Sequence, residues 1–64
     1  MGRWKRFGVV VVRYLTDHDP SHVHVFQDGK RILKFDIEGW RVMEGEMTSN
    51  ARKALAALRK EGVL

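Results

Sequence analysis

Apolar and polar residues alternate along the first two thirds of the chain, which predicts a β-sheet. Val9 to Val12 is apolar at every position, and this run indicates a strand over 7–15 that is either central in the sheet or a subunit contact. The segment 22–27 alternates instead, with Val23 and Val25 on one face. These two patterns predict neighbouring strands of one antiparallel sheet.

Turn signals then separate two further strands. Asp28-Gly29 stands between two alternating segments and is typical of a type I′ hairpin, because both residues tolerate a positive φ. The following segment, "RILKFDI", predicts a third strand, and we expect a second tight turn at Glu38-Gly39. A fourth strand is predicted from Trp40 to Glu44.

After Gly45 the apolar spacing becomes helical. Thr48 or Ser49 can serve as the N-cap and Gly62 as the C-terminal stop. The residues predicted to face the sheet are Ala51, Ala54, Leu55 and Leu58. The chain is therefore predicted to be a single α+β domain spanning residues 1–64, a four-stranded antiparallel β-meander followed by one C-terminal helix packed on one face.

Composition narrows the class of protein. The 64 residues include no cysteine, which excludes disulfides and thiolate metal sites. The basic start leads into a short apolar run without a small-residue cleavage site, so we interpret it as the first strand of a cytoplasmic protein and not as a secretory signal. The net charge of +4 is compatible with RNA, DNA or an acidic protein partner, although charges of this size also serve solubility.

All three histidines lie in the stretch "TDHDPSHVHV". His22 and His24 project from the same side of a strand with Cα atoms ~7 Å apart, and they face away from the predicted helix together with Lys34 and Asp36. Three nitrogen ligands with a water molecule would form an open zinc site. The first hypothesis for this cluster is therefore a metal centre of His18, His22 and His24.

Two other interpretations fit the same histidines. In a ribonuclease-type reaction, one histidine would take the proton of an RNA 2′-hydroxyl, and Lys34, Arg31 or Arg41 would offset the developing charge. Alternatively, the stretch is a polar turn followed by the solvated side of a strand. The residue pattern leaves all three interpretations open.

Positive charge on the predicted helix suggests a second contact surface. Arg52 and Lys53 could bind phosphates, together with Lys34 and Arg41 of the sheet, although a solvated helix face is the simpler explanation of the helix residues. The all-apolar first strand separately suggests a homo-oligomer.

The stretch "DHDPSHVHV" resembles the signature (N/D)-H-x-P-P-H-F-H-V of a family of small, mostly bacterial domains of unknown function. The matching residues are Asp17, His18, Pro20, His22, His24 and Val25. Ser21 and Val23 depart from the signature. The segment "FDIEGWRVMEGE" and the closing helix also fit, so the resemblance covers most of the chain.

The resemblance implies a biological context but no reaction. Members of the family are similar to components of toxin–antitoxin-like gene pairs and are often encoded beside a second small domain. We therefore expect a small bacterial interaction module whose functional cluster is His18, His22 and His24. These histidines would contact RNA or a protein partner, with catalysis or zinc binding as the alternatives.

Overall fold

The chain forms an antiparallel β-meander with a C-terminal helix on one of its faces. A computed structural model describes residues 2–13 and 22–64, and these form β1 (Gly2–Arg6), β2 (Val9–Arg13), β3 (His22–Gln27), β4 (Lys30–Asp36), β5 (Arg41–Gly45) and α1 (Ser49–Lys60). The strands lie in the order β1-β2-β3-β4-β5, each antiparallel to the next. The α+β class is confirmed. The predicted count of four strands is wrong, since the described residues form five.

The additional strand, β1, lies before a turn formed by the first two residues of the segment predicted as the first strand. Phe7 and Gly8 have φ angles of 53° and 77°, the left-handed pair that a two-residue type I′ turn requires. Bulky residues rarely adopt a positive φ, so alternation does not reveal this turn. β1 precedes it and pairs with β2, which makes β2 an interior strand and accounts for its unbroken apolar run.

The β3–β4 hairpin agrees with the sequence pattern. Asp28 and Gly29 have φ angles of 55° and 78°, as a type I′ turn requires. A bulge follows on β4, because Val25 pairs with Leu33 while Phe26 pairs with Arg31, which leaves Ile32 as the extra residue.

The β4–β5 turn is held by a side chain. One oxygen of the Asp36 carboxylate accepts the backbone N–H of Glu38 at 2.9 Å and of Gly39 at 3.0 Å. Trp40 takes the left-handed conformation, with φ 56°, so β5 begins one residue later than predicted, at Arg41. The Trp40 ring meets the Phe35 ring edge to face, with centroids 4.9 Å apart.

The helix begins and ends with the predicted caps. The Thr48 hydroxyl accepts the N–H of Ala51 at 3.1 Å. At the other end, Gly62 has φ 84°, its N–H donates to the carbonyl of Arg59, and the N–H of Val63 donates to the carbonyl of Leu58. This is the pair of bonds that ends many helices at a glycine.

The core lies between α1 and one face of the sheet. The side chains that form it are Val9, Val11, Val23, Val25, Leu33, Phe35, Ala51, Ala54, Leu55 and Leu58. The helix crosses this face over β1 and β2. Two contacts orient its C-terminal end: Glu61 pairs with Arg6 at 2.7 Å, and the Arg59 guanidinium lies 4.5 Å above the Trp40 ring. The predicted packing of the helix on the Val23 and Val25 face is confirmed.

Within the part of the chain that the structure describes, no helix has the length and apolar character that a membrane crossing requires.

Candidate functional site on the open face of the sheet

The sheet face opposite α1, here called the open face, carries the histidines of β3. Val23 and Val25 are fully buried against the helix side, whereas His22 and His24 are half-buried. Because successive residues of a strand point to opposite faces, the two histidines lie on the side away from α1. None of the helices and strands formed by residues 2–13 and 22–64 lies over this face.

The strand register arranges the open face in cross-strand rows. One row crosses the whole sheet and contains Arg3, Val12, His24, Lys34 and Glu44. Lys34 therefore lies directly opposite His24, where cross-strand neighbours are in contact distance.

The next row lies towards the Asp28-Gly29 turn and contains Lys5, Val10, Phe26 and Arg31. In both rows, the ring-bearing side chain of β3 has a basic neighbour on β4 and, across a valine of β2, a second basic residue on β1.

The two described histidine rings form a compact pair. Their centroids are 5.2 Å apart and the planes meet at 79°, an edge-to-face arrangement. Nη1 of Arg31 lies 3.4 Å from Nδ1 of His24. A guanidinium can only donate, so a hydrogen bond at this contact has Nδ1 of His24 as its acceptor. Nη2 of Arg31 is also 3.3 Å from Glu44, which links a carboxylate, a guanidinium and an imidazole in series.

Arg31 reaches this face because of the bulge in β4. In a regular strand, residues 31 and 34 would point to opposite faces, since their separation is odd. The extra residue Ile32 changes that parity, so Arg31 and Lys34 both lie on the open face. The bulge therefore brings Arg31 beside the histidines, where the sequence analysis proposed it as a cation that could offset charge.

Asp36 is predicted to share the open face with the histidines, and the register agrees with that placement. It pairs with His22 in the register, but it is only 3% exposed and holds the β4–β5 turn. The N–H groups of Gly39 and Glu38, together with the Arg41 guanidinium 3.6 Å away, keep the pKa of the Asp36 carboxyl below its ordinary value. Its carboxylate therefore stabilises the β4–β5 turn.

The four cations predicted as partner or RNA contacts lie on two sides of the molecule. Lys34 is on the open face, and Arg41 lies beside Asp36 with its side chain 78% exposed. Arg52 and Lys53 are exposed on α1, which packs against the opposite face. The structure thus brings Lys34 and Arg41 to the same face as His22 and His24, but not Arg52 and Lys53.

The third histidine of the predicted cluster, His18, lies outside the described residues, as do Asp17 and Asp19. Residues 2–13 and 22–64 contain no group of three potential metal ligands by themselves. The zinc hypothesis depends on a ligand from the undescribed segment and stays a prediction.

Sequence reasoning missed Phe26, and it did not place the two cations of β1, Arg3 and Lys5, on this face. Phe26 follows His24 by two residues, so period-2 alternation could have placed it on the same face. Arg3 and Lys5 could not be assigned to a face because their strand depends on the unexpected turn at Phe7 and Gly8.

The fold and this face define a small α+β domain in which a five-stranded meander shields its core with one helix and presents a basic, histidine-bearing surface on the other side. The sequence profile of the family described as "Domain of unknown function (DUF4160)" matches residues 8–62. The chain belongs to this family. No curated protein matches the chain, and no solved structure does either.

Proposed function

We propose that this protein is a small bacterial, cytoplasmic interaction module, one member of a toxin–antitoxin-like gene pair, and that it contacts its partner through the open face. The gene-pair context is supported by the resemblance of "DHDPSHVHV" to the family signature. The choice of surface is supported by the position of His22 and His24 on the open face, opposite α1.

One observation carries the assignment of the surface. The edge-to-face pair of His22 and His24 is joined through Arg31 to Glu44, while Lys34 lies directly opposite His24. Polar and basic side chains that already contact one another lose less conformational freedom on binding than isolated ones, so such a network favours recognition.

The test compares the two basic sides of the molecule. The product of the adjacent gene is titrated into the wild type, into His22→Ala/His24→Ala and into Arg52→Ala/Lys53→Ala, with affinity measured by calorimetry. We expect the histidine variant to lose about tenfold or more in affinity, the loss typical of a central interface residue. The helix variant should remain within about twofold, as for residues outside a contact. Equal affinity for all three proteins would contradict the proposal.

A ribonuclease-type toxin is the second candidate, favoured by the contact between the Arg31 guanidinium and the His24 ring. An imidazole next to a guanidinium has the components of acid–base catalysis and charge stabilisation on RNA. One histidine of the pair would act as the base and the other, in its protonated form, as the acid, with Arg31 placed to offset the developing charge.

Catalysis would be visible as cleavage of an RNA oligonucleotide with a bell-shaped pH dependence. Each single substitution, His22→Gln or His24→Gln, should reduce the rate by roughly 10²-fold or more. RNA that stays intact with the wild type at every pH would exclude this second candidate.

A further inference from the structure

The side chains of β3 form a column of rings along the open face. His22, His24 and Phe26 are at positions i, i+2 and i+4 of one strand, so they point to the same side at intervals of about 7 Å. Phe26 is half-buried and opposes Val10 on one side and Arg31 on the other. A phenylalanine that stays partly exposed on a sheet face, outside the core, is available for contact with a planar ligand.

Two columns of cations flank these rings. Arg3 and Lys5 lie on β1, and Arg31 and Lys34 lie on β4. β1 and β4 are three strand spacings apart, which sets the two columns about 14 Å apart with the ring column between them.

The acidic groups on this face are already engaged. Glu44 pairs with Arg31, and Asp36 accepts the turn amides and pairs with Arg41. Among the described residues, Arg3, Lys5 and Lys34 have no carboxylate partner. The open face therefore has an excess of positive charge beside its rings.

We propose that the open face binds a single-stranded nucleic acid, with unpaired bases stacked on the rings of β3 and phosphates placed on the cations of β1 and β4. Stacking platforms on antiparallel sheets and basic tracks beside them are the two components of single-strand recognition. This inference rests on the proposed function, which makes the same face the contact surface.

The ring geometry indicates how many bases are held. Since the planes of His22 and His24 meet at 79°, only one of these two rings can lie parallel to a stacked base in this arrangement. Phe26 supplies the second position. A duplex would hide its base faces inside the stack and could contact only the cations, so the rings favour an unpaired strand.

Binding is measured by fluorescence anisotropy with labelled 12-nucleotide single strands of RNA and of DNA, and with a 12-base-pair RNA duplex. Single strands of at least one type should bind more tightly than the duplex, and the RNA and DNA arms identify the natural class. Phe26→Leu keeps an apolar side chain and should weaken single-strand binding by roughly 5- to 150-fold, the range for losing one stacked base. Phe26→Tyr retains a ring and should bind like the wild type.

Matched controls separate stacking and charge from fold. Phe7→Ala removes an aromatic ring that is 54% exposed in the β1–β2 turn, outside the ring column, and should leave affinity unchanged. Lys5→Gln should lower the slope of log affinity against log salt by about 0.7, one phosphate contact, whereas Lys53→Gln on α1 should not change it. Circular dichroism and melting temperature verify that each variant is folded.

Failure of this inference differs from failure of the proposed function. Equal binding of duplex and single strands, or unchanged binding by a folded Phe26→Leu, would overturn it, and so would the absence of any binding. If the adjacent gene product still binds through the histidines while no nucleic acid does, the partner is a protein. The nucleic-acid inference is then wrong, while the proposed contact surface stands.

Discussion

Asp36 is buried, although the alternation of its strand places it on the open face. Alternation puts it on the open face beside His22, yet its carboxylate turns towards the backbone of the following turn. An acid that accepts two backbone N–H bonds and lies near Arg41 is stabilised in its charged form, which is why its pKa is lowered. The residue therefore links the pH of the solution to the β4–β5 turn.

The lowered pKa predicts a loss of stability in acid. Asp36 stabilises the fold above the ordinary value of 3.8, and this contribution is lost as the pH falls through the lower folded-state pKa. Asp36→Asn retains an acceptor oxygen but does not titrate in this range. We expect its melting temperature to fall less than that of the wild type between neutral pH and about pH 2.

Comparing Asp36→Asn with the wild type also controls for Glu61, the other carboxyl whose pKa is lowered. Hydrogen bonding to Arg6 also lowers the pKa of Glu61, but this pair is present in both proteins and cancels in the difference. Identical acid dependence of the two melting temperatures would show that Asp36 does not stabilise the turn by its charge.

At the scale of the element, the end of β5 lies so close to β4 that it has no room for a side chain. Gly45 ends β5 with φ 84°, and a Cβ at this position would meet the carbonyl oxygen of Ile32 and lie 2.8 Å from Cα of Leu33. Gly29 has a similar φ of 78° in the β3–β4 turn, but a Cβ there would meet nothing within 4 Å. Substitutions at these two glycines therefore distinguish the cost of a left-handed conformation from the cost of steric overlap.

Alanine substitutions should differ at these two positions. Gly29→Ala pays only for the left-handed conformation, about 1 kcal/mol. Gly45→Ala adds displacement of the β4 backbone, so we expect a loss of about 3 kcal/mol in the free energy of unfolding. Urea denaturation measures both. Similar losses for the two variants would mean that β5 adapts without strain.

Local chemistry explains which elements could be predicted. The Asp28-Gly29 turn and the helix caps at Thr48 and Gly62 depend on residues adjacent in sequence, and the structure has all of them. The Phe7-Gly8 turn could not be predicted, because a phenylalanine with positive φ is held there by the pairing of the strands on either side.

The sequence pattern likewise predicted some residues of the candidate site and not others. Period-2 alternation places His22, His24 and Lys34 on one face, and the register agrees with that placement. The position of Arg31 depends on the bulge at Ile32, and the burial of Asp36 depends on turn amides, neither of which the sequence pattern reveals. The position of Arg52 and Lys53 on the other side follows from the packing of α1, which the pattern did predict.

At the scale of the whole molecule, positive charge occupies both sides of the sheet. Arg3, Lys5 and Lys34 lie on the open face, and Arg52 and Lys53 lie on the exposed side of α1. Net charge alone would attract an anionic partner to either side. The rings of β3 occur only on one of them, which is why we assign the contact to the open face.

The proposal that the partner contacts the open face is tested most directly by nuclear magnetic resonance. The adjacent gene product is added stepwise while the signals of the aromatic and histidine rings are followed. Both sides carry rings: His22, His24 and Phe26 report on the open face, while the indoles of Trp4 and Trp40 pack against the core on the helix side. We predict that the signals of His22, His24 and Phe26 shift or broaden while both indole signals stay in place. Movement of the indole signals with unchanged histidine signals would contradict the account.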